Sequence, residues 1–169
     1  PWQNWLEAIG LQQLTRLRGG YRAGAPQARI GDDGLPLIAP LICYEVIFPS
    51  LSAHNANAPR PDVLVNLTND GWFGTYLGPY QHFAQARLRA IEQGLPLIRV
   101  ANTGISALFD AQGRTRALLG LGRAGTRIVV LPPPAAATFY ARFGDMIYGF
   151  MLIFLLALTA YLRHFPKII

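Results

Sequence analysis

The only cysteine of the chain, Cys43, ends the apolar run Leu41-Ile42-Cys43 and is followed at once by Tyr44 and Glu45. A thiol placed where a buried strand gives way to a helix stands where open α/β folds put their reactive groups. The helix N-terminus there can lower its pKa. Such a thiol offers nucleophilic catalysis through a thioester, given a base and donors for the oxyanion. The competing reading is a small hydrophobe in the core, which describes most lone cysteines. Tyr44 and Glu45 weigh against it, because a plain core strand carries aliphatic residues at such positions. His82, oriented by Asn69 or Asp70, would supply the residue types of a Cys/His/Asn arrangement, but no local signature of that kind surrounds Cys43. One cysteine forms no internal disulfide, and His54, His82 and His164 are scattered without zinc-ligand spacing, so neither a metal nor another cofactor is expected.

The elements that must position these residues alternate between strand and helix patterns. Trp5 to Leu17 predicts a short helix stopped by Gly19-Gly20, and residues 21–34 form a Gly/Pro/Arg-rich loop. Leu35 to Cys43 is almost wholly apolar, the pattern of a strand buried on both faces. A short helix over Glu45 to Asn55 follows, with Pro49 in its first turn. Val63 to Leu67 predicts a second buried strand. The loop from Thr68 to Pro79 then carries Asn69, Asp70, Trp72 and Phe73. Tyr80 to Gln93 has apolar residues at helical spacing and Gly94 as its stop. Leu95 to Ala101 is a third strand, Ile105 to Phe109 with Arg114 to Leu118 a hairpin, and Thr126 to Leu131 a further strand closed by three prolines. The expectation is an α/β layered domain.

At 169 residues the chain suits one domain with a real core. Hydrophobic residues make up 51% and charged ones only 14%, where about 25% is usual for a soluble domain. Lipid contact accounts for that balance. Met146 to Leu162 carries no charge and falls at the short end of the roughly 17–25 residues that span a bilayer, with Tyr148 and Tyr161 near its ends as interfacial aromatics. Arg163, His164 and Lys167 follow it, so the positive-inside rule puts the C-terminus in the cytoplasm and the α/β domain outside. Arg142, on the other side, weakens that bias without reversing it. The net charge of +6 is spread over separated arginines, with no basic stripe for nucleic acid. The expected organisation is a domain over residues 1–134, a linker over 135–143, a transmembrane helix over 144–163 and a cytoplasmic tail over 164–169. The opening Pro1-Trp2-Gln3 lacks a start Met and a basic leader, and the chain reads as the C-terminal part of something longer.

Four blocks carry a family resemblance: Pro40-Leu41-Ile42-Cys43-Tyr44-Glu45; Asn66-Leu67-Thr68-Asn69-Asp70-Gly71-Trp72-Phe73-Gly74; the stretch from Gly78 to Glu92 with Gln81-His82-Phe83 and Ala86-Arg87; and Arg99 to Ile105 with Asn102-Thr103-Gly104. In this order they resemble the nitrilase superfamily, and within it the membrane enzymes that finish bacterial lipoproteins. The resemblance implies an αββα fold with a Glu-Lys-Cys triad, present here as a partial nitrilase-like sandwich followed by a transmembrane helix. It implies that Cys43 takes a fatty acyl group from a phospholipid as a thioester and passes it to the N-terminal diacylglyceryl-cysteine of an apolipoprotein. Tyr44 and Glu45 would support the site. Asn69, Asp70, Trp72 and Phe73 would belong to the substrate loop at its mouth. The place implied is the bacterial inner membrane, with the catalytic domain periplasmic. One departure stands out: the sole lysine is Lys167, beyond the apolar segment, and the glutamates are Glu7, Glu45 and Glu92. The triad lysine and base are then expected upstream of this chain, and the chain alone is expected to be inactive and poorly folded. Two rival readings are a nitrilase-type amidase, which should lack the terminal apolar helix, and a non-catalytic membrane-anchored binding module.

Overall fold

Apolar runs rich in β-branched residues pair side by side when a helical crossover can cover them, and that is how this chain builds its sheet. The computed structural model describes residues 29–32, 34–49 and 59–164. The expected helix over Trp5 to Leu17, most of the loop over 21–34, residues 50–55 of the short helix, and Lys167 lie outside the described residues. Strands β1 (Ile38–Ile42), β2 (Val63–Asn69) and β3 (Leu97–Asn102) are parallel, and β4 (Ser106–Phe109) and β5 (Thr115–Leu119) continue the sheet antiparallel, in the order β1-β2-β3-β4-β5. Helix α1 (Leu77–Gln93) crosses over between β2 and β3. It begins a turn earlier than the apolar spacing indicates and ends, as expected, at Gly94, whose φ of 63° is left-handed.

Packing on the α1 side defines the core. Leu41, Leu64, Leu97 and Phe109 project from neighbouring strands against Ala86 and Ala90, whose small side chains let the helix approach the sheet. Each of the large residues is at most 1% exposed, and burial of such a side chain contributes roughly 1.5–3 kcal/mol. The same face carries two polar residues. Leu41 pairs with Asn66 in register and Asn66 with Arg99, so a carboxamide and a guanidinium lie side by side under the helix, both at most 1% exposed.

Three expectations need correction. β1 is not buried on both faces among the described residues: Ala39 and Leu41 are covered, while Ile38 and Pro40 are half-buried and Ile42 is exposed. The first helical residues after it, Cys43–Ile47, form a 3-10 turn. Thr126 to Leu131 is not a strand, and Ile128 and Val130 stand in the open. β5 is the edge of the sheet and the chain turns away from it at Gly122, so this β-branched segment has no ladder partner among the described residues.

After the prolines, a short helix α2 (Phe139–Phe143) leads to α3 (Met146–His164). The window Met146–Arg163 has a mean hydropathy of 1.8 and is 0% buried. By length and composition α3 can cross a membrane.

Candidate active site

Where β1 stops, the backbone reverses sharply. Cys43 has φ 52°, a left-handed conformation that costs a side-chain-bearing residue of order 1 kcal/mol. The turn is held from two sides. Glu45 folds back and accepts a hydrogen bond from Ile42 N–H at 2.6 Å, closing the 3-10 turn on itself. Asn66 Nδ2 donates to the carbonyl of Leu41 at 2.9 Å and to that of Cys43 at 3.1 Å. The strained φ lifts the thiol to the carboxyl ends of the parallel strands, where it is partly accessible.

Hydrogen bonds gather at the sulfur. Thr68, near the end of β2, places its hydroxyl 3.5 Å from Cys43 Sγ and 3.2 Å from Asp70 Oδ1. The Thr68 hydroxyl holds the thiol pKa below its ordinary value, against burial that raises it, and the backbone N–H groups of Asn69 and Tyr44 act in the same direction. Asp70, fully buried, is gripped by Arg99 Nη2 at 2.6 Å and by His82 Nδ1 at 2.9 Å. Arg99 Nη2 also lies 3.2 Å from His82 Nδ1, so the guanidinium, the carboxylate and the imidazole form one buried cluster. Burial pushes the His82 pKa down, with Asp70 opposing. The ring leans on Tyr44 and Phe73, with ring centres 5.6 and 5.5 Å away. An open cleft of about 240 Å³ runs past Tyr44, Phe73, Gln81 and His82. A larger one of about 280 Å³ lies on the sheet near Ile98, Leu118 and Val129; Cys43 lines neither, though its neighbour Tyr44 lines the first.

The residues singled out from the sequence divide accordingly. Cys43, Tyr44, Asp70 and Phe73 come together, Phe73 packing on Tyr44 at 6.0 Å. Asn69 caps the 3-10 turn Asp70–Phe73 by accepting from Gly71 N–H at 3.1 Å and from Asn102 Nδ2 at 3.2 Å. Trp72 points away and is 84% exposed. His82 and Cys43 are not a nucleophile–base pair, since the imidazole nitrogen that bonds does so to Asp70 and the side-chain bond at sulfur comes from Thr68. Thr68, Asn66 and Arg99 were not anticipated as site residues. Their signal was present in the strand pattern: a charge in the middle of Leu97-Ile98-Arg99-Val100, and an amide in Val65-Asn66-Leu67, at inward-facing positions.

A parallel sheet that presents a hydrogen-bonded thiol on a left-handed turn at its carboxyl edge defines an α/β protein with a candidate cysteine nucleophile. The carbon-nitrogen hydrolase pattern matches residues 16–140, and the chain belongs to that family. Over 98% of its length it is 49% identical to an apolipoprotein N-acyltransferase of Rhodopseudomonas palustris, and over 99% it is 51% identical to one of Bradyrhizobium diazoefficiens. The chain spans 30% of the length of each of these relatives. A solved CN-hydrolase superfamily protein from Xanthomonas campestris, 23% identical, shares the fold at a TM-score of 0.50 over 75% of this chain and 51% of that one.

Proposed function

We propose that this chain carries the nucleophile of an N-acyltransferase that completes bacterial lipoproteins. The observation that carries the reading is the Cys43 thiol itself, set on a left-handed turn with the Thr68 hydroxyl at its sulfur. The names of the relatives supply the acyl-transfer chemistry. In the first step the thiolate attacks an ester carbonyl of a phospholipid, the acyl–oxygen bond breaks, and the lysophospholipid alkoxide leaves with a proton. In the second, the α-amine of the diacylglyceryl-cysteine attacks the thioester, the carbon–sulfur bond breaks as the amide forms, the general base takes the proton the amine loses, and the thiolate is released. Tyr44 and Glu45 shape the turn beside the sulfur. Asn69 and Asp70 brace the loop that carries Trp72 and Phe73, whose rings meet the acyl chain. No lysine lies in residues 1–166, so the cation of a Glu-Lys-Cys triad comes from another part of the complete protein; Glu45 is taken up by the Ile42 N–H and Glu92 by Arg89, so in this reading the general base comes from there too and the chain alone is inactive.

The same reading places residues 1–134 in the periplasm, joined by 135–143 to a membrane span over 144–163, with 164–169 in the cytoplasm. The nineteen residues of α3 rise about 28 Å, close to the roughly 30 Å hydrocarbon core of a bilayer.

The test uses the full-length protein in detergent with a labelled phospholipid. Intact mass should show one acyl adduct that neutral hydroxylamine removes, and Cys43→Ala should show none. A folded wild-type protein that never acquires the adduct sinks the acyltransferase reading and favours an amidase or a non-catalytic module.

A further inference from the structure

The polar residues around Cys43 close on themselves. From the Cys43 carbonyl the path runs to Asn66 Nδ2 at 3.1 Å, from Asn66 Oδ1 to Arg99 Nη1, from Arg99 Nη2 to Asp70 Oδ2 at 2.6 Å, and from Asp70 Oδ1 to Thr68 Oγ at 3.2 Å. Thr68 then reaches Cys43 Sγ at 3.5 Å. Asn66, Arg99 and Asp70 are each at most 1% exposed, so water does not substitute for any of these bonds. We propose that Arg99 is a positioning residue for Cys43, holding Asn66 and Asp70 so that the Thr68 hydroxyl is free to turn its hydrogen to the sulfur. The inference rests on Cys43 being the nucleophile of the proposed function.

A single hydrogen serves two acceptors here. A threonine hydroxyl has a single hydrogen to donate, and here two acceptors compete for it. While the sulfur is a thiol, its S–H can donate to Thr68 Oγ and Thr68 can donate to Asp70. Once the sulfur is an anion it must accept, and the Thr68 hydrogen has to leave Asp70. That exchange is cheap only if Asp70 is satisfied by others, and Arg99 at Oδ2 and His82 Nδ1 at Oδ1 do this. Without the guanidinium, a buried carboxylate would keep the hydroxyl and oppose a second negative charge beside it. The other fork of Arg99 steadies the Asn66 amide, which fixes the left-handed turn through the Cys43 carbonyl. A planar fork serves both partners at once, and a lysine ammonium in its place reaches one.

The experiment follows the rate of Cys43 alkylation by iodoacetamide against pH in the full-length protein, which needs no lipid substrate, alongside acyl-transfer kinetics. Thr68→Val removes the donor at nearly constant volume, and its alkylation profile should move up by about one pH unit, the scale of a hydrogen bond to a charged group. Thr68→Ser should restore the wild-type profile. Arg99→Lys should shift the profile in the same direction and lower kcat about tenfold with KM little changed, since it disturbs the nucleophile and not the lipid contacts. A Thr68→Val profile that coincides with wild type overturns the inference, as does a folded Arg99→Lys protein with wild-type profile and kcat. If Arg99→Lys does not fold, the Thr68 pair decides. Shifted profiles in a protein that forms no acyl adduct would overturn the proposed function and leave the ring standing; an adduct with unshifted profiles would do the reverse.

Discussion

At the residue scale, the site depends on positions where a side chain is absent as much as on those where one is present. Gly104 is the clearest case. A Cβ built there would fall 2.7 Å from Asp70 Cβ and from its carboxyl carbon, closer than carbon atoms approach without displacement. Asp70 cannot yield easily, because Arg99 and His82 hold both of its oxygens. Gly104→Ala should therefore cost about 1–3 kcal/mol, the usual range for overpacking, and drag Thr68 off the sulfur. We expect a lower melting temperature and acyl-adduct formation slowed at least tenfold; wild-type stability and rate together would contradict the packing described here. Cys43 was legible in the sequence because a lone thiol before Tyr44 and Glu45 breaks the aliphatic pattern of its strand. The partners of that thiol were not legible as a set. Asn66, Thr68 and Asp70 alternate along one segment, but Cys43 and Arg99 reach them only through the β1–β2 and β2–β3 registers, which set residues 23 to 33 positions apart side by side. Residue type alone says that a buried arginine needs an acceptor, not which one.

Elements are held in place by how their ends are satisfied. The last carbonyls of a helix have no partner within it, and those at the end of α1 are met from outside. Arg60 donates to Gln93 O at 2.8 Å, to Gly94 O at 3.2 Å and to Ala135 O at 2.8 Å. Ala135 N–H returns a bond to Gly94 O at 3.0 Å, and Thr138 Oγ donates to Glu92 O. One guanidinium thus ties the helix end to the segment leading toward α3, in the place that favours a cation. Arg60→Met should free that segment. With charge-assisted bonds worth about 1.5–3 kcal/mol when buried and less at this half-buried position, brief proteinase K digestion of the folded protein should cut within residues 132–137 roughly tenfold faster. Equal cleavage rates would show that the prolines alone fix the path. The glycine stop of α1 was readable from sequence, since a left-handed helix end favours glycine. Arg60 was not, because its acceptors are backbone groups, and backbone acceptors leave no mark on residue type. Thr126 to Leu131 misled for the opposite reason: its β-branched residues fit a strand, but a strand needs a neighbour, and neighbours are set by topology.

At the scale of the whole molecule two apolar surfaces remain open among the described residues. One is the sheet face opposite α1, where Val65, Ile98 and Ala117 are only half-buried and Leu67 and Val100 are about half exposed. The other is α3, apolar on every side. A contiguous exposed apolar surface marks contact with another layer, a partner or lipid. For α3 the proposed membrane span is supported by uniformity: a helix that packs on a protein core keeps a polar face toward water, and no charged residue lies between Met146 and Leu162. The proposed direction rests on the charges at its ends. Arg163, His164 and Lys167 follow the segment closely and Arg142 precedes it, so more positive charge lies on the C-terminal side, which the positive-inside rule assigns to the cytoplasm. The proposed reaction requires the same orientation, with Cys43 on the periplasmic side. Green fluorescent protein fused after Ile169 of the full-length protein should fluoresce, and alkaline phosphatase fused there should be inactive. Replacing Arg163 and Lys167 with Gln while adding two lysines beside Arg142 removes the bias and should lower the fluorescent fraction. Active phosphatase on the unaltered protein would place residue 169 outside, and the domain that holds Cys43 would then face the cytoplasm, where the proposed acceptor is not found.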